Sequence, residues 1–300
     1  MMDFQPLRLQ DIPLIRPYLQ EKKSLLSNYS VGAMLMWRET TRTCMAIEEG
    51  ILFLRSTFDG EHCYWMPLGG DLQRGFDLLE EHVRAEGDSF AMTCIDREDR
   101  EKILVRWPQA QTLDVDPTKW GDYVYDTALM GTFAGKKYEK KRNHANRFKK
   151  TYPDWHAEKI GPENLEDVRN FYRRLCLQKG EQDMQESRMY FEEMTRTIEV
   201  LDNYDLYGMT GCVLYAGDAV VGFGMGEVIG ETMFEHIEKA DADYHGSHQV
   251  IVNAFVQTCV PEGVRYLNRE DDAQDPGLRK SKQSYHPLFL TEKFEMEIAL

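Results

Sequence analysis

The stretch CVLYAGDAVVGFGMGEVIGETMFEHIEKADADYHGSHQ, Cys212 to Gln249, decides the fold. Cys212 to Tyr215 and Ala219 to Glu227 are apolar runs around Ala216-Gly217-Asp218, a tight hairpin signal. Thr232 to Glu238 reads as a third strand, and Ser247 to Val260 as a helix. Gly222, Gly224 and Gly226 superficially resemble a dinucleotide fingerprint. They lie inside a hairpin strand and not at a strand–helix turn, so they indicate a bulge or a close backbone approach.

Working outward, Tyr266 to Asn268 and Phe294 to Ala299 read as strands, and Leu278 to Ser284, Glu163 to Lys179 and Ser187 to Leu201 as helices. The first half has the same grammar. Phe4 to Leu7, Thr43 to Ile47, Ile51 to Arg55, Cys63 to Met66 and Phe90 to Ile95 are strands. Asp71 caps a helix carrying Phe76, Leu79 and Val83 at helical spacing, and Arg97 to Val105 is a further helix. No residue-level repeat joins the halves, so the duplication is one of architecture. The expected fold class is α+β, with two domains, each a mixed, mostly antiparallel sheet flanked by helices. The expected division is residues 1–130, a basic connecting helix over 131–155, and residues 156–300, with the active cleft lined mostly by the last.

The chain has 300 residues, a formal charge of −15 and 42% hydrophobic residues, ordinary for a globular protein long enough for two domains. No window has the ~18 uninterrupted apolar residues of a membrane span. The first 20 residues lack a basic region followed by an apolar one, so no secretory signal is read. The six cysteines are scattered without a CxxC pair, which fits a reduced, cytoplasmic setting. Net acidity disfavours a general nucleic-acid coat protein but leaves room for a local basic site.

That local site is GKKYEKKRNHANRFKK, Gly135 to Lys150. Its eight cations against Glu139 make a net +7, leaving −22 on the rest. Helical spacing puts Lys136, Lys140 and Arg147 near one side, a surface for a phosphate-bearing donor. A solvated helix balancing acidic neighbours is the bland alternative. In FEHIEKADADYHGSHQ, alternation puts Phe234, His236 and Glu238 on one face, a base beside its orienter, with Glu235, Ile237 and Lys239 opposite. Tyr244-His245-Gly246-Ser247 then opens a helix whose free amides suit an anion. The alternative is an ordinary strand edge with a turn glycine. His245 and His248 lack a third ligand at a recognised spacing and there is no HExxH, so no metal is assigned. In YLNREDDAQDPGLRKSKQSYHP, Tyr266 to Pro287, a short strand delivers Asn268, Arg269, Glu270, Asp271 and Asp272 to its end. A helix bearing Arg279 and Lys282 follows. A structural ion-pair network is the alternative there. GxSxG, GxxxxGK[ST] and kinase signatures are absent.

These blocks carry a resemblance. LSNYSVGAMLMWRE (Leu26 to Glu39), DYVY (Asp122 to Tyr125), GKKYEKKRNHANRF, HIEKADADYHGSHQ, LNREDD and LRKSKQSYHP are similar to the bacterial family of unassigned function (DUF2156) related to the C-terminal catalytic domain of phosphatidylglycerol lysyltransferase. The resemblance implies tandem GNAT (acyl-CoA N-acyltransferase-like) folds, arranged as in the Fem peptidoglycan aminoacyltransferases. In lysyltransferases the donor is an aminoacyl-tRNA and the acceptor a lipid hydroxyl; in acetyltransferases of this fold the donor is acyl-CoA. Tyr244 to Gln249 stands where acyl-CoA enzymes carry (Q/R)xxGx(G/A), with Gly246 alone comparable.

The expected function is therefore aminoacyl transfer to an amine or hydroxyl, with aminoacyl-tRNA or acyl-CoA as donor. A CoA-dependent N-acetyltransferase and a non-catalytic module for a phosphorylated ligand are the alternatives. Lys136, Lys137, Arg142 and Asn143 are expected at the donor phosphates, with Tyr244 and Gly246. Arg279 and Lys282 are expected at the oxyanion, and Glu238 or His236 at the acceptor. Asn268, Arg269, Glu270 and Asp272 complete the expected substrate site, the two acids reading a cationic amino group.

Overall fold

The computed structural model describes residues 1–113, 116–180 and 188–300. Its strands are β1 (Gln5–Pro6), β2 (Cys44–Glu48), β3 (Ile51–Phe58), β4 (Glu61–Tyr64), β5 (Phe90–Ile95), β6 (Gln111–Leu113), β7 (Tyr123–Asp126), β8 (Trp155–Lys159), β9 (Thr210–Ala216), β10 (Ala219–Ile229), β11 (Thr232–Ala240), β12 (Tyr266–Asn268), β13 (Phe289–Leu290) and β14 (Phe294–Ile298). Among the described residues they form two seven-stranded sheets, ordered β1-β2-β3-β4-β5-β14-β6 and β13-β7-β12-β11-β10-β9-β8. Only the β4–β5 and β11–β12 pairs are parallel among the pairings described, so both sheets are mixed and mostly antiparallel. Ser187, the expected start of a helix, lies outside the described residues; the helix is described over Arg188–Asp202.

Local chemistry explains the elements. Gly217 (φ +60°) and Gly230 (φ +58°) turn the two hairpins of the second sheet in a left-handed conformation that a glycine adopts cheaply. Asp71 caps its helix by accepting the Arg74 N–H at 2.8 Å. The first sheet packs Phe53, Phe76, Met92, Ile103 and Met296 into one core. The helix Ser247–Cys259 is apolar nearly all round and buries Val250, Ile251, Val252, Ala254, Phe255 and Val256. A Cβ on Gly224 would stand 3.3 Å from the Phe255 ring, so the missing side chain lets this helix lie close to β10.

The chain divides into two compact units that interlace along the sequence: Met1–Tyr123 with Asp271–Leu278 and Leu290–Leu300, and Val124–Glu270 with Arg279–Phe289. The C-terminal strand, read above with residues 156–300, sits in the first sheet between β5 and β6. Met296 pairs with Met92 there and is fully buried, and this pairing covers the edge that β5 would otherwise expose. The basic helix, Glu139–Thr151, is part of the second unit. It buries Ala145 and Phe148.

Candidate active site

The site is built on β11, where the expected alternation breaks. β10 pairs Met225 with Ile237 and Gly226 with Glu235, so His236 has no cross-strand partner and forms a β-bulge. Gly226 makes it possible, since a Cβ there would fall 2.0 Å from the Phe234 carbonyl oxygen. The extra residue resets the face. Glu235 and Glu238, three apart, both reach Arg269, whereas His236 is separated from Glu238. The expected His236–Glu238 pairing does not form.

His236 lies between two other carboxylates. Its Nε2 is 3.2 Å from Glu227 Oε1 and its Nδ1 is 2.7 Å from Glu270 Oε1, with the imidazole wholly buried. Burial alone would depress its pKa, but hydrogen bonds to Glu227 and Glu270 overcome this and raise it to about 9. Both ring nitrogens then donate, so the group is an imidazolium with no lone pair to offer near neutral pH. Its geometry is that of a structural cation and does not fit a general base.

The second cluster centres on Arg269, immediately after β12. Its Nε donates to Glu235 Oε2 at 2.5 Å and its Nη2 to Glu238 Oε2. The guanidinium lies 5.1 Å from the Tyr285 ring centroid and 5.9 Å from that of Tyr125. Burial raises the Glu235 carboxyl to about 7, and the neighbouring charge of Glu238 adds to the rise while Arg269 opposes it. Glu235 Oε1 is buried without a hydrogen-bond partner. Burial pushes the Glu238 carboxyl the other way from its net shift, which is downward because Arg269 and His248 hold it charged.

Lys141 reaches this cluster from the basic helix. Its Nζ stands 3.6 Å from the Tyr285 ring centroid and donates to Ser284 Oγ at 2.6 Å. Burial, then the Arg269 charge, lowers its pKa to about 8. Sequence reading had placed Lys141 only within a charge run and Glu235 on the face away from the site. The bulge moves Glu235 in, and Lys141 turns inward at the first helical turn. The signal for the bulge was the glycine series on β10.

The other expected residues fall into three groups. Lys136 and Lys137 are exposed in a short turn, Lys136–Tyr138, that precedes the helix, and Asn143 is exposed on the helix itself. Arg142 donates to the carbonyls of Phe133 and Gly135, stapling that turn. Lys282 is buried and donates to the carbonyls of Arg269 at 2.5 Å and Glu270 at 3.3 Å, which fixes the loop holding Arg269. Arg279 is half-buried on the same helix, Pro276–Gln283. Asn268 accepts the Glu270 N–H at 2.7 Å, and Glu270 carries a positive φ of 58°. Asp272 accepts the Tyr123 hydroxyl at 2.7 Å and the Gln274 N–H at 2.9 Å, within the first unit. Asn268, Glu270 and Asp272 thus shape the loop, and Arg269 alone of this block sits in the cluster beside Lys141.

The helix start at Gly246 lies close against the basic helix. Gly246 has φ +95°, and a Cβ there would stand 2.4 Å from the His144 carbonyl oxygen and 3.0 Å from Phe148 Cβ. The Ser247 N–H donates to the Tyr244 carbonyl at 2.9 Å, and the Tyr244 ring packs 5.2 Å from Tyr152. The glycine serves a close approach between two helices.

The family described as phosphatidylglycerol lysyltransferase, C-terminal, matches residues 21–295. The chain belongs to that family. A conserved protein of unknown function from Bacteroides thetaiotaomicron superposes with a TM-score of 0.87 at 29% identity over 100% of both chains. L-PGS from Bacillus licheniformis superposes with a TM-score of 0.63 at 13% identity, covering 95% of this chain and 91% of its own. An uncharacterised protein of Mycoplasmoides gallisepticum is 27% identical over 180 residues, a match that spans 59% of this chain and 56% of that protein's length. The two mixed, mostly antiparallel sheets flanked by helices are the α+β class expected from the sequence, and L-PGS shares the fold. Among the described residues no helix is long and apolar enough to cross a membrane.

Proposed function

We propose that this family member is an acyltransferase that moves an aminoacyl group from tRNA to an amine or hydroxyl acceptor, with Lys141 as its catalytic residue. The observation that carries the reading is the Lys141 amine, held over the Tyr285 ring beside Arg269 with its pKa lowered to about 8. In such a transfer the acceptor attacks the ester carbonyl, charge develops on its oxygen, and the ribose hydroxyl leaves with a proton. A cationic amine with a pKa near the working pH both stabilises that charge and supplies that proton. Arg269 and Glu238 are too enclosed to lead; they hold the field in which Lys141 acts. Exposed Lys136, Lys137, Lys140, Arg147 and Lys150 flank Lys141 on the same segment and suit donor phosphates. Only Gly246 of the (Q/R)xxGx(G/A) pattern of acyl-CoA enzymes is present at this helix start, and it serves a close approach to the basic helix, which favours a tRNA end over CoA.

The test is a thermal-shift titration with CoA, acetyl-CoA and mixed aminoacyl-tRNA, run beside enzyme-dependent release of labelled amino acid from that tRNA. The expected result is a salt-sensitive shift and release with aminoacyl-tRNA. A shift with CoA alone would replace this reading by the acetyltransferase. Binding without release would replace it by a non-catalytic module.

A further inference from the structure

A second group of cations stands in the first unit, far along the sequence from the basic helix. A cavity of about 580 Å³ is lined by Arg8, Arg38 and Arg42 with Glu39, and Leu7 and Leu9 also border it. Its volume lies in the range that takes a small ligand. Three guanidinium groups against one carboxylate give a net +2 lining on a chain whose formal charge is −15. The sequence hides this grouping, because Arg8 precedes the Leu9–Asp11 turn while Arg38 and Arg42 follow the helix Val31–Trp37.

The backbone fixes the two walls against each other. Pro6 pairs with Cys44, and the Leu7 N–H donates to the Thr43 carbonyl at 3.0 Å. Arg38 Nη1 donates to the Leu35 carbonyl at 2.6 Å, and the Thr43 N–H to the Arg38 carbonyl at 2.8 Å. Arg42 takes a left-handed backbone, φ +47°, unusual for a residue with a side chain. Among the described residues no carboxylate bonds the guanidinium of Arg8 or Arg42. Planar guanidinium forks match a tetrahedral phosphate, and the bordering Leu7 and Leu9 suit a short carbon body.

We propose that this cavity binds the phosphate ester of a small molecule. Neither the proposal nor its test depends on the transfer chemistry of the second unit. Calorimetric titration of the full chain with glycerol 3-phosphate tests it. Saturable binding with a Kd tighter than about 1 mM, weakened about 10-fold or more in R8Q/R42Q with an unchanged circular dichroism spectrum, is expected. Sedimentation with phosphatidylcholine vesicles, plain or mixed with phosphatidylglycerol, separates the sources of the phosphate. Loss of vesicle binding in R8Q/R42Q would assign it to a lipid headgroup, and soluble binding alone to a metabolite. No saturable binding in either arm would overturn the proposal. So would an affinity that R8Q/R42Q leaves unchanged and K136Q/K137Q abolishes.

Discussion

Two charged clusters share the strand β11, and they differ in what is left over. Around His236 each ring nitrogen meets a carboxylate, and the imidazole is shut off from solvent. Around Arg269 the guanidinium holds Glu235 and Glu238, yet a lysine amine remains at the margin with its pKa pulled down to about 8. A buried charge whose protons and lone pairs are all spent stabilises one arrangement. A charge that is strained by its neighbours and still reachable is equipped for chemistry. The contrast predicts that damage to the closed parts shows in stability, and damage to Lys141 in activity.

The largest expected effect is from Arg269→Ala. It leaves Glu235 and Glu238 buried without their counter-charge, a loss of about 3–5 kcal/mol, read as a lower midpoint in urea denaturation. A loss under about 1 kcal/mol would show that the cluster is wetter and looser than described.

His236 gives the next effect, with a defined sign. Its folded pKa of about 9 exceeds the ordinary value of 6.5. Its stabilisation is therefore complete below about pH 6.5 and is lost as pH rises through about 9, a change of order 3 kcal/mol. His236→Gln should remove that slope between pH 6.5 and 9. An unaltered slope would mean that the imidazole is neutral, and the two clusters would then be more alike than argued.

Neutralising Lys136, Lys137 and Lys140 to Gln is expected to do least to the fold, within about 0.5 kcal/mol. It should lower the salt dependence of tRNA binding by about two units of log–log slope. Unchanged salt dependence would confine the basic segment to solvation.

Much of this was legible in the residues, because hairpin glycines, apolar periodicity and caps are local. The hairpin at Ala216-Gly217-Asp218 and the strands Phe90–Ile95 and Tyr266–Asn268 lie where the patterns put them. The placement of Phe294–Ile298 in the first sheet was not legible, since an apolar strand does not name its neighbour. The site was half legible. Arg269 stood out as a cation at a strand end. The bulge at His236 reversed the reading of Glu235 and Glu238, because one inserted residue moves each later side chain to the other face. Lys141 was indistinguishable from seven other cations in its segment until the packing of Tyr285 singled it out.

The central claim rests on Lys141, and the direct measurement is enzyme-dependent release of labelled amino acid from aminoacyl-tRNA, as a function of pH, in wild type and Lys141→Met. Activity in the wild type should fall as pH rises through about 8, where the amine loses its proton. In Lys141→Met the rate should drop about 100-fold or more, with the urea midpoint nearly unchanged. Full activity in Lys141→Met, with the same pH limb, would contradict the account.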